Sequence, residues 1–198
     1  MTSVSAARGR HSTMSWTVVK LAWTKEYSYR HDNMLLYIAK CPDRTKFRCY
    51  IDIEGYQTPS HGTLPPSVVV TTLKPDMVII DQKNKTIHIF ELTVPKETRI
   101  LTANKLKLEK YQHFTNDITS YKVMVIPFEV GSHTGLVTRE NRKSLTNIHK
   151  FCTKDVKLKN FIRNISSICV LGSFHIFTGR NEQEWLKGDP IQAPFANQ

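Results

Sequence analysis

Cysteine is scarce in this chain and poorly spaced for metal. Four occur among 198 residues, Cys41, Cys49, Cys152 and Cys169, and none forms a C-x-x-C pair. Zinc ribbons and knuckles need that spacing, so their chemistry is excluded. The thiols lie in apolar contexts and read as reduced cysteines of an intracellular protein. No run of eighteen consecutive apolar residues occurs, so the sequence predicts no membrane-spanning helix and no membrane partner. Basic residues near the start are followed by no apolar stretch before Ser15, which argues against a secretory leader. Internal repeats and low-complexity tracts are missing. Acidic residues are few, 17 against 28 lysines and arginines, giving a formal charge of +11 and a pI near 9.6. That excess favours a polyanionic partner, of which nucleic acid is the commonest.

What is present suffices for one domain. The apolar share, 40%, supports a real core. Residues 1–14 are small, polar and basic and read as a disordered arm. Residues 15–187 form the domain, and Pro, Gln and Asn in residues 188–198 predict a frayed tail.

The chemistry concentrates in residues 74–111. Residues 77–81 are short, apolar and branched, and the polar Gln82-Lys83-Asn84-Lys85 suits a hairpin turn. Residues 86–94 alternate. Ile87, Ile89, Glu91 and Thr93 share one strand face, and His88, Phe90, Leu92 and Val94 share the other. A carboxylate thus falls on an otherwise apolar face, and hairpin pairing brings Asp76 toward it. Two carboxylates held close repel unless a cation lies between them. Hard divalent metals take such ligands, and Mg²⁺ uses one or two carboxylates plus waters.

A helix follows Pro95, with Thr98 as its expected N-cap. At 100° per residue, Ile100, Ala103, Lys107, Lys110, Tyr111 and Phe114 fall on one stripe flanked by Leu106 and Leu108, while Lys105, Glu109 and Gln112 lie opposite. Lys107 is near the middle of that stripe and Lys110 at its edge. A buried lysine needs a partner, and the two carboxylates supply one.

Lys74-Pro75-Asp76, then Glu91 on the next strand, then Lys107-Leu108-Glu109-Lys110-Tyr111 on the helix form a pattern. It resembles the PD-(D/E)XK nuclease superfamily, and within it the restriction-like endonuclease domain of site-specific non-LTR retrotransposons and related free-standing animal proteins. Thr93 stands where the family usually has its strand lysine, and Lys107 or Lys110 takes that role from the helix. The resemblance implies an α/β restriction-endonuclease-like core with a central mixed sheet flanked by helices, in the order αβββαβ. It implies metal-dependent DNA hydrolysis leaving a 5′-phosphate and a 3′-hydroxyl, in the nucleus. Asp76, Glu91 and the Leu92 carbonyl would hold Mg²⁺ or Mn²⁺, and Lys107 or Lys110 would assist catalysis. Lys74, Arg30, His31 and Thr93 would meet nucleic acid, Thr93 through water or phosphate. No small-molecule cofactor is implied. One active site nicks one strand, so a double-strand break calls for a homodimer or two visits. Two other readings stay open: an inactive nucleic-acid-binding module on a nuclease fold, and a structural interaction protein.

The rest of the chain supplies framework. Residues 15–22 begin a strand or a helix, and residues 27–40 form a helix whose core face is Met34, Leu35, Ile38 and Ala39. On it, His31 reads either as a phosphate contact or as a satisfied core histidine, and Arg30 as a phosphate contact or a surface charge. Residues 47–53 form a first strand, with Asp52 either at the metal or facing outward. Residues 56–66 are an irregular loop and residues 68–71 a brief strand. Residues 121–127 form a buried strand bounded by Pro127. Beyond it, Glu129 either orients a lysine or anchors a loop through a salt bridge. Residues 141–152 and 156–178 are helical. In the second, Leu158, Phe161, Ile162, Ile165, Ile168 and Cys169 face the core, and Lys154, Lys157, Lys159 and Arg163 make a basic side that either follows a phosphate backbone or is simply solvated.

Overall fold

The computed structural model describes residues 16–53, 73–112, 118, 120–179 and 191–192, with side chains from residue 28 onward. Helix α1 (Trp16–Ala39) comes first, then strands β1 (Arg48–Ile51), β2 (Met77–Asp81) and β3 (Thr86–Thr93). A 3₁₀ turn (Glu97–Arg99) leads into α2 (Ile100–Gln112), and β4 (Lys122–Glu129), α3 (Arg139–His149) and α4 (Leu158–Gly179) complete the chain. The fold is mixed α/β. One four-stranded sheet in the order β1-β2-β3-β4 is flanked by helices, with β1, β2 and β3 antiparallel and β4 parallel to β3. The crossover from β3 to β4 carries α2, as a parallel pair requires.

Both sheet faces are covered, which explains why Met77 to Ile80 of β2 are all apolar instead of alternating. All five of its residues are buried. One face sets Cys49, Ile51, Met77, Ile79, Phe90, Leu92, Ile126 and Phe128 into the main core, against Met34, Leu35 and Ile38 of α1, Leu145 and Ile148 of α3, and Phe161, Ile165 and Ile168 of α4. The other face packs Tyr50, Val78, Ile80, Ile87 and Ile89 with Tyr111 of α2 and Ile118. The register is that of the expected hairpin, Met77 opposite Phe90 through Asp81 opposite Thr86. Asp81 fixes its turn by accepting from the Asn84 backbone N–H (3.0 Å) and side-chain amide (2.7 Å). Lys85 closes the turn at φ 51°.

Several boundaries differ from expectation. Residues 16–22 belong to the first helix. Thr98 does not cap α2; it is exposed inside the 3₁₀ turn, and extended Lys96 precedes that turn without a side-chain cap. β4 runs through Pro127 to Glu129. As the last strand in the sheet order it has, among the described residues, one unpaired edge, which tolerates a residue with no N–H to donate. Thr138 caps α3, accepting from Asn141 N–H at 3.2 Å. Ile191 does not belong to a loose tail: its N–H donates to Asn33 Oδ1 at 2.7 Å and it packs on the core. α4 is long and apolar enough, by length and composition, to cross a membrane, which the absence of an unbroken apolar run concealed. Its buried residues face the core. All four cysteines are free thiols. The basic arm, Glu54, the loop at 56–66, the strand at 68–71 and Phe114 lie outside the described residues.

Candidate metal and phosphate site

The site forms where the hairpin opens. Asp76 immediately precedes β2 and Glu91 lies near the end of β3, one step beyond the Met77–Phe90 pair. Glu91 Oε1 accepts the Asp76 backbone N–H at 3.3 Å, and Asp76 Oδ2 accepts the Leu92 backbone N–H at 2.7 Å. The two carboxylates are therefore locked to each other's strands by backbone donors, as the pairing argument anticipates.

α2 crosses above Glu91. Lys107 Nζ sits 2.5 Å from Glu91 Oε2, Lys110 Nζ lies 3.8 Å from the same oxygen, and the Tyr111 hydroxyl donates to Oε1. Positions 107 and 111 are one turn apart, so a single helix face delivers both groups. Glu91 is fully buried and both its oxygens are engaged. Lys107 is three-quarters buried, whereas Lys110 is more exposed and lies over the Tyr111 ring at 4.7 Å. Burial first, and the Glu91 carboxylate next, push the Tyr111 phenol far above its ordinary range, so it stays a hydrogen-bond donor. The flanking leucines do not join the stripe: Leu101, Leu106 and Leu108 are exposed.

α1 contributes a group that sequence reasoning left between two roles. His31 Nε2 lies 3.3 Å from Asp76 Oδ2 and its Nδ1 lies 3.1 Å from Asp32 Oδ1. Burial pulls the imidazolium pKa down. Hydrogen bonds to Asp32 and Asp76, reinforced by their charges, override it and lift the value from 6.5 to about 9. His31 is therefore a cation bridging two carboxylates at neutral pH. Asp76 is held below the ordinary carboxylate range: burial raises it, but His31, Lys107 and the Leu92 N–H outweigh that. Asp52 joins the edge of this group through its N–H, which donates to the Asp76 carbonyl at 3.0 Å. Burial raises its carboxyl; Lys74 opposes that and Asp76 and Asp32 add to it. The adjacent His31-Asp32 pair was the only sequence signal for Asp32.

Arg30 leaves the set of phosphate-contact candidates, and it is not a surface charge. It is buried, and its guanidinium donates to Ser173 Oγ at 2.8 Å and to the Ser132 and Val94 carbonyls at 3.4 Å each. It clamps α1 to α4 and to the segments following β3 and β4. Gly172 makes room for it, since a Cβ there would lie 2.9 Å from Arg30 Cγ. Lys74 is exposed beside Asp52 and free to meet solvent or phosphate.

A second polar group lies under the same helix. Thr93 is in register with Glu129 of β4, on the face that carries Glu91. Glu129 is almost fully buried, and its Oε2 accepts from the Asn104 amide at 3.2 Å. Burial raises its carboxyl above the ordinary range; Asn104, Asn141 and Lys107 pull the other way. Thr93 Oγ1 is buried without a hydrogen-bond partner, while Glu129 Oε1 and Asn141 Nδ2, both buried, face each other in poor hydrogen-bond geometry.

Among the described residues no three His, Cys, Asp or Glu side chains converge on one cation position. Two carboxylates still fit a hard divalent ion that keeps most of its waters. Asp76 Oδ2 is committed to His31 and Leu92, and among the described residues nothing hydrogen-bonds Oδ1. An extended residue turns its N–H and C=O toward one side, so the Leu92 carbonyl opens toward Asp76 as its N–H does. Neither a model of a known protein family nor a curated protein matches this chain.

Proposed function

We propose that this chain is a metal-dependent DNA endonuclease domain built on a restriction-endonuclease-like core. One observation carries the reading: Asp76 and Glu91 meet at the mouth of a hairpin with Lys107 of the crossover helix directly on Glu91. The order α1-β1-β2-β3-α2-β4 is also the αβββαβ order that the resemblance implies. The net charge of +11 suits a phosphate backbone.

Asp76 Oδ1, Glu91 and the Leu92 carbonyl are the residues that would hold Mg²⁺ or Mn²⁺. The ion supplies Lewis acidity, lowering the pKa of a water and offsetting charge gathered on the phosphate. His31 and the Leu92 N–H fix the Asp76 carboxylate by one oxygen, leaving the other for the ion; such outer contacts set ligand orientation. Lys107 brings a positive charge to the pentacovalent phosphate or orients the attacking water, with Lys110 as its reserve. Tyr111 holds Glu91 in place. Lys74 contacts the strand, whereas the Thr93 hydroxyl is buried and leaves the set of contacts. The products are a 5′-phosphate and a 3′-hydroxyl.

Plasmid nicking tests this directly. Wild type cuts supercoiled DNA with Mg²⁺ or Mn²⁺ and not with EDTA, and Asp76→Ala does not cut. Undiminished, equally metal-dependent cutting by Asp76→Ala sinks the assignment. A second reading has its own observation: both Glu91 oxygens are occupied by protein donors. An inactive DNA-binding module is stable in that state. It binds DNA with a salt-dependent affinity and takes up no Mn²⁺ through Asp76.

A further inference from the structure

Glu91 presents a conflict on the nuclease reading. The carboxylate that must accept a divalent cation already holds an ammonium at 2.5 Å. The same oxygen could serve both only against the repulsion of two like charges at such range. Either the ion never binds or Lys107 moves. Its stem is long and rotatable, and a lysine ammonium is a point charge with three freely directed donors. What it lacks in the state described is a destination.

We infer that Glu129 is that destination: it is the second docking carboxylate for Lys107, taking one of the ammonium's three donors when a divalent cation takes Glu91 and leaving the others for the phosphate or the attacking water. The inference rests on the nuclease reading and adds a positioning residue to it. Geometry makes the case first. Glu91 and Glu129 stand on neighbouring parallel strands, with Glu91 opposite Pro127 and Thr93 opposite Glu129, so both carboxylates project from one sheet face. One helix covers them. Asn104 of α2 holds Glu129 Oε2, and Lys107, one turn further along the same helix face, holds Glu91 Oε2. A swing of the lysine stem, with no backbone movement, redirects the ammonium from one strand to the next.

Unused bonding capacity makes the case second. Glu129 is 1% exposed, its charge faces only the neutral amides of Asn104 and Asn141, and Thr93 Oγ1 nearby has no partner. Buried polar atoms left unsatisfied are rare and costly. A carboxylate kept dry against neutral amides, with no cation in contact, is explained if another state of the protein brings it one. Lys107 is the neighbouring cation with reason to leave its present partner. Lys110 does not compete, because it is the more exposed lysine and is already 3.8 Å from Glu91.

The test is Mn²⁺ affinity, read by electron paramagnetic resonance of the free ion, for wild type, Glu129→Gln, Lys107→Met and the double variant. Glu129→Gln keeps shape and one acceptor but removes the charge that receives the ammonium. It weakens Mn²⁺ binding by about tenfold, the scale at which groups behind the metal ligands act. In the Lys107→Met background the same change has no effect, because no ammonium needs a second berth. Thermal melts by circular dichroism check that each variant is folded, and Glu129→Met, also uncharged and of similar size, serves in place of Glu129→Gln where the latter is not. Wild-type Mn²⁺ affinity in Glu129→Gln overturns the inference. So does an equal loss with and without Lys107, which makes Glu129 a ligand or a structural support. Failure of the nuclease reading looks different: wild type then takes up no Mn²⁺ that Asp76→Ala abolishes, and both proposals fall together.

Discussion

The two faces of the sheet are made by the same four strands and obey the same period of two, but only one of them is apolar where the hairpin opens. The face against α1, α3 and α4 keeps its polar residues, Asp81, Thr86 and His88, at the turn end and is apolar where the hairpin opens, with Met77, Phe90, Leu92 and Phe128. The face under α2 is apolar first, with Val78, Ile80, Ile87 and Ile89, and then gives Glu91, Thr93 and Glu129. Nothing in packing requires carboxylates there; aliphatic residues would bury well. The change comes where the hairpin opens and Asp76 and His31 reach partial exposure. Stability is invested in one face and chemistry in the end of the other, and substitutions should separate the two.

Asp76→Ala should give the largest effect. On the proposed nuclease reading it removes a metal-ligand carboxylate, and nicking in Mn²⁺ should fall by at least about a thousandfold, beyond the loss typical of a single catalytic donor. Single-turnover conversion of supercoiled to open plasmid measures it. Folding should be little altered by urea titration. If instead the variant unfolds while its folded fraction still cuts, the open end of the hairpin belongs with the structural half and the division fails.

The next pair sharpens the contrast within neighbouring residues. Phe90→Ala on the apolar face should cost about 3–5 kcal/mol of stability, the range for removing a buried aromatic ring. On the opposite face, replacing Glu91 and Lys107 together by leucine should leave stability unchanged or raise it by about 1–4 kcal/mol, because a buried ion pair loses much of its attraction to desolvation. That double variant should not cut DNA. Equilibrium urea unfolding of the two proteins decides it, and a paired replacement as harmful as Phe90→Ala would show that Glu91 is retained for the fold.

The two lysines can be ranked in the same assay. Lys107→Ala should lower nicking by about a hundredfold, the effect of losing one preorganised donor. Lys110→Ala should lower it less than about tenfold, since a long contact from a partly exposed ammonium is weak. The reverse order would move the catalytic role one turn along α2.

Much of this was legible before the structure. The hairpin, its register and the meeting of Asp76 with Glu91 follow from alternation and a polar turn, because pairing in a tight hairpin is local. Lys107 was legible because a lysine in an apolar stripe needs a partner. Arg30 was not: its partners Ser132 and Ser173 are more than a hundred residues away, and no local pattern marks them. His31 was half legible, as a histidine on a core face, but its meeting with Asp76 depends on how α1 docks on the sheet. Thr98 misled because propensity favours a threonine cap, whereas Glu97 is drawn away to the segment after β4, accepting from His133 and Thr134 N–H at 3.0 Å each. Pro127 misled because a proline reads as a strand boundary until the strand is known to be the last in the sheet order.

The smallest effect concerns His31, and it asks to which half of the molecule that residue belongs. Its folded pKa of about 9 lies above the ordinary 6.5 because Asp32 and Asp76 favour the cation more than burial opposes it. A raised folded pKa means the folded state holds the proton more tightly than the unfolded chain. The stabilisation is complete below about pH 6.5 and is lost as pH rises through 9. Against His31→Gln, which has no such titration, wild type should lose about 1–3 kcal/mol of stability between those limits, less than the full shift implies because the ring is a quarter exposed. Asp76, held below the ordinary carboxylate range, stays ionised across that interval, and groups other than His31 cancel in the difference between the two proteins. Urea unfolding at pH 6, 7.5 and 9 measures it. A constant difference would mean that His31 is a neutral packing residue and that Asp76 is oriented by the Leu92 N–H alone. A difference that shrinks toward pH 9 places His31 with the carboxylates, as the cation that holds Asp76 Oδ2 and leaves Oδ1 free for a metal.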